Sequence, residues 1–170
     1  MVERESTRSG PSAWDAALRL LGARARSRQE MHDRLVAREF PADEIERTMA
    51  RLDEWKLLDD TDFAHEWVRS RSTTSQRGRL ALKRELRTKG IADDVAAQAL
   101  DTIDPDAERD TAHALAEKKL TFDAQELADP AIRAKAYRRL TGALGRRGYP
   151  PDVITSVVKD VIAARRDGVD

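Results

Sequence analysis

The 170-residue sequence predicts an all-α protein, three tandem three-helix repeats forming an elongated, curved helical stack. Alanine supplies 26 of the 68 hydrophobic residues, Val and Ile together only 15, and that skew favours helix over an extensive sheet. Helix start and stop signals punctuate the chain from Ser12 onward, and one short phrase, LVAREFPADEI, returns twice in altered form.

The elements follow in order. Residues 1–11 are polar, contain Gly10 and Pro11, and read as a disordered tail. Ser12 can cap a helix reaching about Ala25, with Trp14, Leu18 and Leu21 at helical spacing. Ser27 to Glu30 fits a capping box, in which hydroxyl and carboxylate satisfy reciprocal amides, and opens a helix carrying Met31 and Leu35. Pro41, Asp43 and Glu44 start a third helix with the stripe Ile45, Met49 and Leu52, acids standing at its positive dipole end. Asp59 and Asp60 cap a helix carrying Phe63, Ala64, Trp67 and Val68. After a polar break at 72–78 comes a helix with Leu82 and Leu86, stopped by Lys89-Gly90-Ile91. Gly followed by an apolar residue is the composition of a left-handed helix stop. A helix with Val95, Ala99 and Ile103 follows. Asp104-Pro105 opens another to about Leu120, Asp129-Pro130 a long one to Gly148-Tyr149, and Pro150-Pro151-Asp152 the last. The last carries Ile154, Val157, Val158 and Val161. The expected division is a tail at 1–11 and repeats at 12–58, 59–104 and 105–170.

Overlaying the pieces supports the repeat. A shift of 109 residues, without a gap, puts Met31 on Leu140, Leu35 on Leu144, Phe40 on Tyr149, Pro41 on Pro150, Ile45 on Ile154 and Leu52 on Val161. A shift of 51 puts Met31 on Leu82, Leu35 on Leu86 and Phe40 on Ile91; one deletion then brings Ile45 to Val95 and Met49 to Ala99. Three helices bury little surface alone, so stacking of repeats is the expected source of stability.

Composition narrows the function. Zero cysteines exclude disulfides and thiolate chemistry and fit a reducing cytoplasm; no apolar run approaches a membrane span, and MVERESTRSGPS lacks the apolar core of a secretory signal. His32, His65 and His113 are too scattered for a metal site, and His65-Glu66 lacks the second histidine of a helical zinc motif. No phosphate-cradling glycine motif occurs. Asp59, Asp60 and Asp62 cluster at a helix start, where capping accounts for them better than a hard metal. The expectation is a non-enzyme without cofactor.

Net charge is zero, yet the charge is segregated. From Arg69 to Lys89 stand eight basic residues (Arg69, Arg71, Arg77, Arg79, Lys83, Arg84, Arg87 and Lys89) against Glu85 alone. From Arg133 to Arg147 stand six with no acid, among them Lys135, Arg138, Arg139 and Arg146. Residues 53–66 and 101–110 are net acidic. Such separated fields suit a partner surface. Projected at about 100° per residue, Lys83, Arg84 and Arg87 fall away from Leu82 and Leu86, and Lys135, Arg138, Arg139 and Arg146 from Tyr137, Leu140 and Leu144. Leu80 projects within the basic arc unless an irregular first turn packs it inward. Phe63 and Trp67, four apart, read as core; Trp14 and Trp55 read as packing at the ends of the first repeat.

The run Leu57-Leu58-Asp59-Asp60-Thr61-Asp62-Phe63-Ala64, with Trp67-Val68-Arg69-Ser70-Arg71 behind it, resembles the signature of the RecX regulatory proteins. So do Gly78 with Leu82-Lys83-Arg84-Glu85-Leu86 and Lys89-Gly90-Ile91, the upstream stretch from Ala17 to Leu35, and Arg146-Arg147-Gly148-Tyr149. The likeness covers about residues 15–163. It implies a tandem three-helix protein that binds the RecA filament on DNA and mainly inhibits RecA's ATPase, strand exchange and co-protease functions, without catalysis or cofactor. Alongside the resemblance, the expectation from the residues is a cytoplasmic monomer with weak single- or double-stranded DNA contacts of its own. Glu39 departs from the family pattern, standing where a glycine usually ends the second helix. An alternative from the residues alone is a helical protein that binds DNA through phosphate contacts independently of RecA.

Overall fold

The computed structural model describes residues 10–168; the tail expected at 1–11 lies, up to Ser9, outside the described residues. Among the described residues there are nine α-helices and no strand: α1 Ala13–Ala23, α2 Arg28–Val36, α3 Ala42–Glu54, α4 Asp60–Thr74, α5 Arg79–Thr88, α6 Asp93–Asp101, α7 Pro105–Lys119, α8 Pro130–Arg147 and α9 Pro151–Asp167. A 3₁₀ turn, Glu126–Ala128, precedes α8. The chain divides into two compact units, the first ending at Phe63 and the second beginning at Ala64.

Side-chain caps set most helix starts. Ser12 and Asp15 form a reciprocal capping box on α1, Ser27 accepts from the Glu30 amide on α2, and Asp129 accepts from the Ala131 amide on α8. A second device reaches across the fold. Glu44 accepts from the first amide of α1 (2.7 Å), Asp60 from that of α2 (2.8 Å) and Glu108 from that of α5 (2.8 Å). Each carboxylate also meets the positive end of the helix dipole. Asp60 and Glu108 both lie in the helix that opens the following triplet.

The three middle helices, α2, α5 and α8, end alike. Phe40, Ile91 and Tyr149 donate to the carbonyls of Leu35, Leu86 and Leu144, while Glu39, Gly90 and Gly148 donate to those of Val36, Arg87 and Gly145. These paired bonds satisfy otherwise orphaned carbonyls and need a left-handed residue, here Glu39 (φ 60°), Gly90 (φ 74°) and Gly148 (φ 81°). Leu35, Leu86 and Leu144 are fully buried, as are Met31, Leu82 and Leu140.

Two helices turn a different face inward from the one their sequence suggests. In α1 the buried set is Ala13, Ala16, Ala17 and Leu20, while Leu18 is exposed and Trp14 and Leu21 are half-buried. The alanine row has the same three-and-four spacing, and small side chains let α1 approach α2 and α3 closely. In α6 the inner positions are Ala96, Ala99 and Leu100, with Val95 half-buried. The α9 stripe of Ile154, Val157, Val158 and Val161 is buried as expected, extended by Ile162.

Candidate partner-binding surface

The basic runs lie on α4, α5 and α8, in the second unit, and the structure sorts their residues into two groups. One group is consumed by internal contacts. Glu85 accepts from the Trp67 indole (2.9 Å) and pairs with Arg71 (3.3 Å) and Arg77 (3.0 Å). The Trp67 ring also lies 5.3 Å from the Arg71 guanidinium and 4.6 Å from Lys89 Nζ. Arg79 donates from Nε to Glu108 at 2.8 Å, and Glu108 is 7% exposed, so the pair is a fastening rather than a docking point. Arg69 is not in this group: it pairs only with Glu66 on its own helix and is strongly exposed.

The other group faces water. Lys83, Arg84 and Arg138 are exposed and, among the described residues, make no ion pair. Arg87 has only Asp93 at 3.4 Å, both strongly exposed; Arg139 donates to Thr121; Lys135 lies 5.9 Å from the Phe122 ring; Arg146 is exposed on the last turn of α8. Leu80 is 42% exposed, so its first turn does not fold it inward and an apolar side chain stands among these cations.

The two arcs are held together by a close joint. Gly78 N donates to the Arg147 carbonyl and Leu80 N to the Gly148 carbonyl, each at 3.0 Å, so the closing carbonyls of α8 cap the opening amides of α5. Arg147 Nη1 donates to the Ser75 carbonyl (2.6 Å) and Tyr149 Oη to the Gln76 carbonyl (3.1 Å). The approach requires glycine on both sides. A Cβ on Gly78 would lie 2.6 Å from the Gly148 oxygen, and one on Gly148 would lie 2.3 Å from Ala81. Burial pushes the Tyr149 phenol up to about 12, with the Glu108 carboxylate adding to the rise. Like the Arg79–Glu108 pair, it belongs to the joint.

The remaining candidates have local roles. Asp59 Oδ1 accepts from the amides of Thr61 and Asp62, and Asp60 caps α2, so two members of the acidic triplet act as caps. His32 and His113 sit 3.6 Å from Asp33 and Glu117 on their own helices. Trp55 packs edge-on against Trp14 at 5.7 Å, with Arg51 over both rings, while 58% of it remains exposed. Charge counting along the chain also passed over a basic group in the first unit, Arg24, Arg26, Arg34 and Arg38, because Glu30, Asp33 and Glu39 are interleaved with it.

Comparison with known proteins gives a consistent result. The family profile described as RecX, first three-helix domain, matches residues 13–52, and that described as RecX, second three-helix domain, matches 59–100. The protein from Corynebacterium efficiens named Regulatory protein RecX is 39% identical over 165 residues, 97% of this chain and 79% of that protein. The one from Mycobacteroides abscessus, of the same name, is 47% identical over 158 residues, 93% of this chain and 76% of its own length. The crystal structure of RecX from Lactobacillus salivarius superimposes with a TM-score of 0.74 at 26% identity, covering 88% of this chain and 94% of that one.

Proposed function

Because this chain belongs to the RecX family of regulatory proteins, we propose that it binds the RecA filament on DNA and restrains it, lowering ATPase, strand-exchange and co-protease activity. It does so by occupancy rather than catalysis, as a cytoplasmic monomer without a cofactor. The observation that carries this reading is the pair of exposed basic arcs on α5 and α8, set end to end within one compact unit. Lys83, Arg84 and Arg87 on one helix, and Lys135, Arg138, Arg139 and Arg146 on the other, offer cations to the phosphates and acidic surface of a nucleoprotein filament. Leu80 adds an apolar contact among them. Release of condensed counterions from the phosphates supplies affinity, and charge complementarity supplies orientation. Arg71, Arg77, Arg79 and Lys89 act indirectly in this scheme, since their internal contacts hold α4, α5 and α7 in place, while Arg69, exposed and paired only along its own helix, stays open to the partner.

Measuring RecA ATPase on single-stranded DNA against rising concentrations of this protein tests the reading. Inhibition that saturates well below one copy per RecA would indicate blocked filament growth; inhibition near one to one would indicate action along the filament. No inhibition at either ratio would refute the proposal. A second reading, direct DNA binding independent of RecA, draws on the unpaired state of Lys83, Arg84 and Arg138. The zero net charge opposes it, because the acidic segments offset attraction to the duplex. Retention on DNA at moderate salt, with and without RecA, separates the two.

A further inference from the structure

The two repeats that begin the chain treat one position in opposite ways. In the 51-residue register Arg26 corresponds to Arg77, and Arg34 to Glu85. In the second repeat the pair is satisfied, with Arg77 Nε 3.0 Å from a Glu85 oxygen. In the first repeat the carboxylate is replaced by another arginine. Arg26 donates from Nε to the Leu20 carbonyl (3.2 Å), but its Nη1 is closed off from solvent and has no hydrogen-bond partner. Glu30 and Arg34 lie one turn apart on α2, with Arg26 just before the helix and Arg38 just past its end, and Glu30, Arg34 and Arg38 all lie close enough to act on the Arg26 charge. Glu30 is held by Arg24, at 3.0 and 3.2 Å. Among the described residues Arg26, Arg34 and Arg38 have no ion-pair partner.

We propose that Arg26, Arg34 and Arg38 form an oxyanion site in the first repeat that takes a backbone phosphate of nucleic acid, separate from the arcs on α5 and α8. Burial, together with the like charges of Arg24, Arg34 and Arg38, pulls Arg26 below the ordinary arginine range against the opposing effect of Glu30. The carboxylate of the first cluster, Glu30, is held by Arg24, whereas Glu85 of the second repeat pairs directly with Arg77. Capping of the α1 carbonyl accounts for Arg26 Nε alone and leaves Nη1, Arg34 and Arg38 unexplained. Exposed Arg34 and Arg38 make the first contact, and half-buried Arg26 turns Nη1 toward the bound phosphate. A phosphodiester fits because its two free oxygens accept from guanidinium forks. The choice of nucleic acid as the polyanion rests on the proposed function, but the test contains no recombinase, so its failure would leave that reading standing.

The test is fluorescence anisotropy with a labelled oligothymidylate on the full chain, comparing wild type with Arg34→Glu and Arg38→Glu. Each variant should bind about five- to tenfold more weakly near 50 mM salt, and the salt slope should fall by about 0.7 per lost phosphate. Arg34→Glu recreates the ion pair of the second repeat, so its melting midpoint should hold or rise by roughly 1–2 °C while binding weakens. Arg38→Glu, on the exposed surface, should lose affinity with no such rise. Unchanged affinity in both folded variants would overturn the site. Polyglutamate competing as well as the oligonucleotide would overturn phosphate in favour of an acidic protein. Inorganic triphosphate binding where the oligonucleotide does not would overturn nucleic acid in favour of a free anion.

Discussion

At the scale of single residues, Glu39 shows how far a sequence can be read. Its departure from glycine at a helix stop was visible in the sequence, and the chain turns there in the left-handed region regardless, φ 60° against 74° and 81° at the two glycines in register. A side chain with a Cβ is strained in that region by about 1–2 kcal/mol. Glu39→Gly should therefore stabilise the first unit by roughly 0.5–1 kcal/mol, the gain being trimmed by the greater freedom of glycine in the unfolded chain. Chemical denaturation of the two proteins measures it. Tyr149 shows the opposite case, since nothing local in the sequence marks its phenol as a buried group bonded to the Gln76 carbonyl. Its folded pKa, raised to about 12, lies above the unfolded value near 10. Below pH 10 both states hold the proton and the shift has no effect on stability. Between 10 and 12 the unfolded state releases the proton first, so stability should fall as pH rises through that window. Tyr149→Phe should be less stable at neutral pH, from the lost hydrogen bond, and show a shallower alkaline decline.

At the scale of elements, the caps and the three matching stops were legible because they depend on residues within a few positions of one another. The inward faces of α1 and α6 were less so. In α1 an alanine row and a row of larger side chains share one period, and only the neighbouring helices decide which row is covered. The α5–α8 joint could not be read at all, since Gly78 and Gly148 lie seventy residues apart. Gly148 is legible as a helix stop, but not as a surface against which Ala81 packs. Gly148→Ala should cost about 2–4 kcal/mol, combining left-handed strain with overpacking. Gly145, one turn earlier with nothing within 4 Å of an added Cβ, supplies the contrast. Gly145→Ala should gain roughly 0.5–1 kcal/mol, because alanine restricts the unfolded chain and favours helix. Thermal unfolding of the pair checks both signs.

At the scale of the whole molecule, charge segregation identified the regions of the candidate site, whereas the fold decides which members are available. The run of basic residues gave Arg77, Arg79 and Lys83 equal standing. The structure ties the first two to Glu85 and Glu108 and leaves the third in water. That distinction depends on carboxylates 8 and 29 residues away, one of them from α7. The most direct measurement is inhibition of RecA ATPase by the variant in which Lys83, Arg84 and Arg87 are together changed to Glu, beside a control reversing Arg4 and Arg8. Exposed charges contribute little to stability, so the melting midpoint should stay within about 2 °C of wild type. Inhibition should fall at least tenfold in the α5 variant and not in the control, with a flatter salt dependence of filament binding as phosphate contacts are lost. Normal inhibition by a folded α5 variant would mean that the arc is only a solvated face.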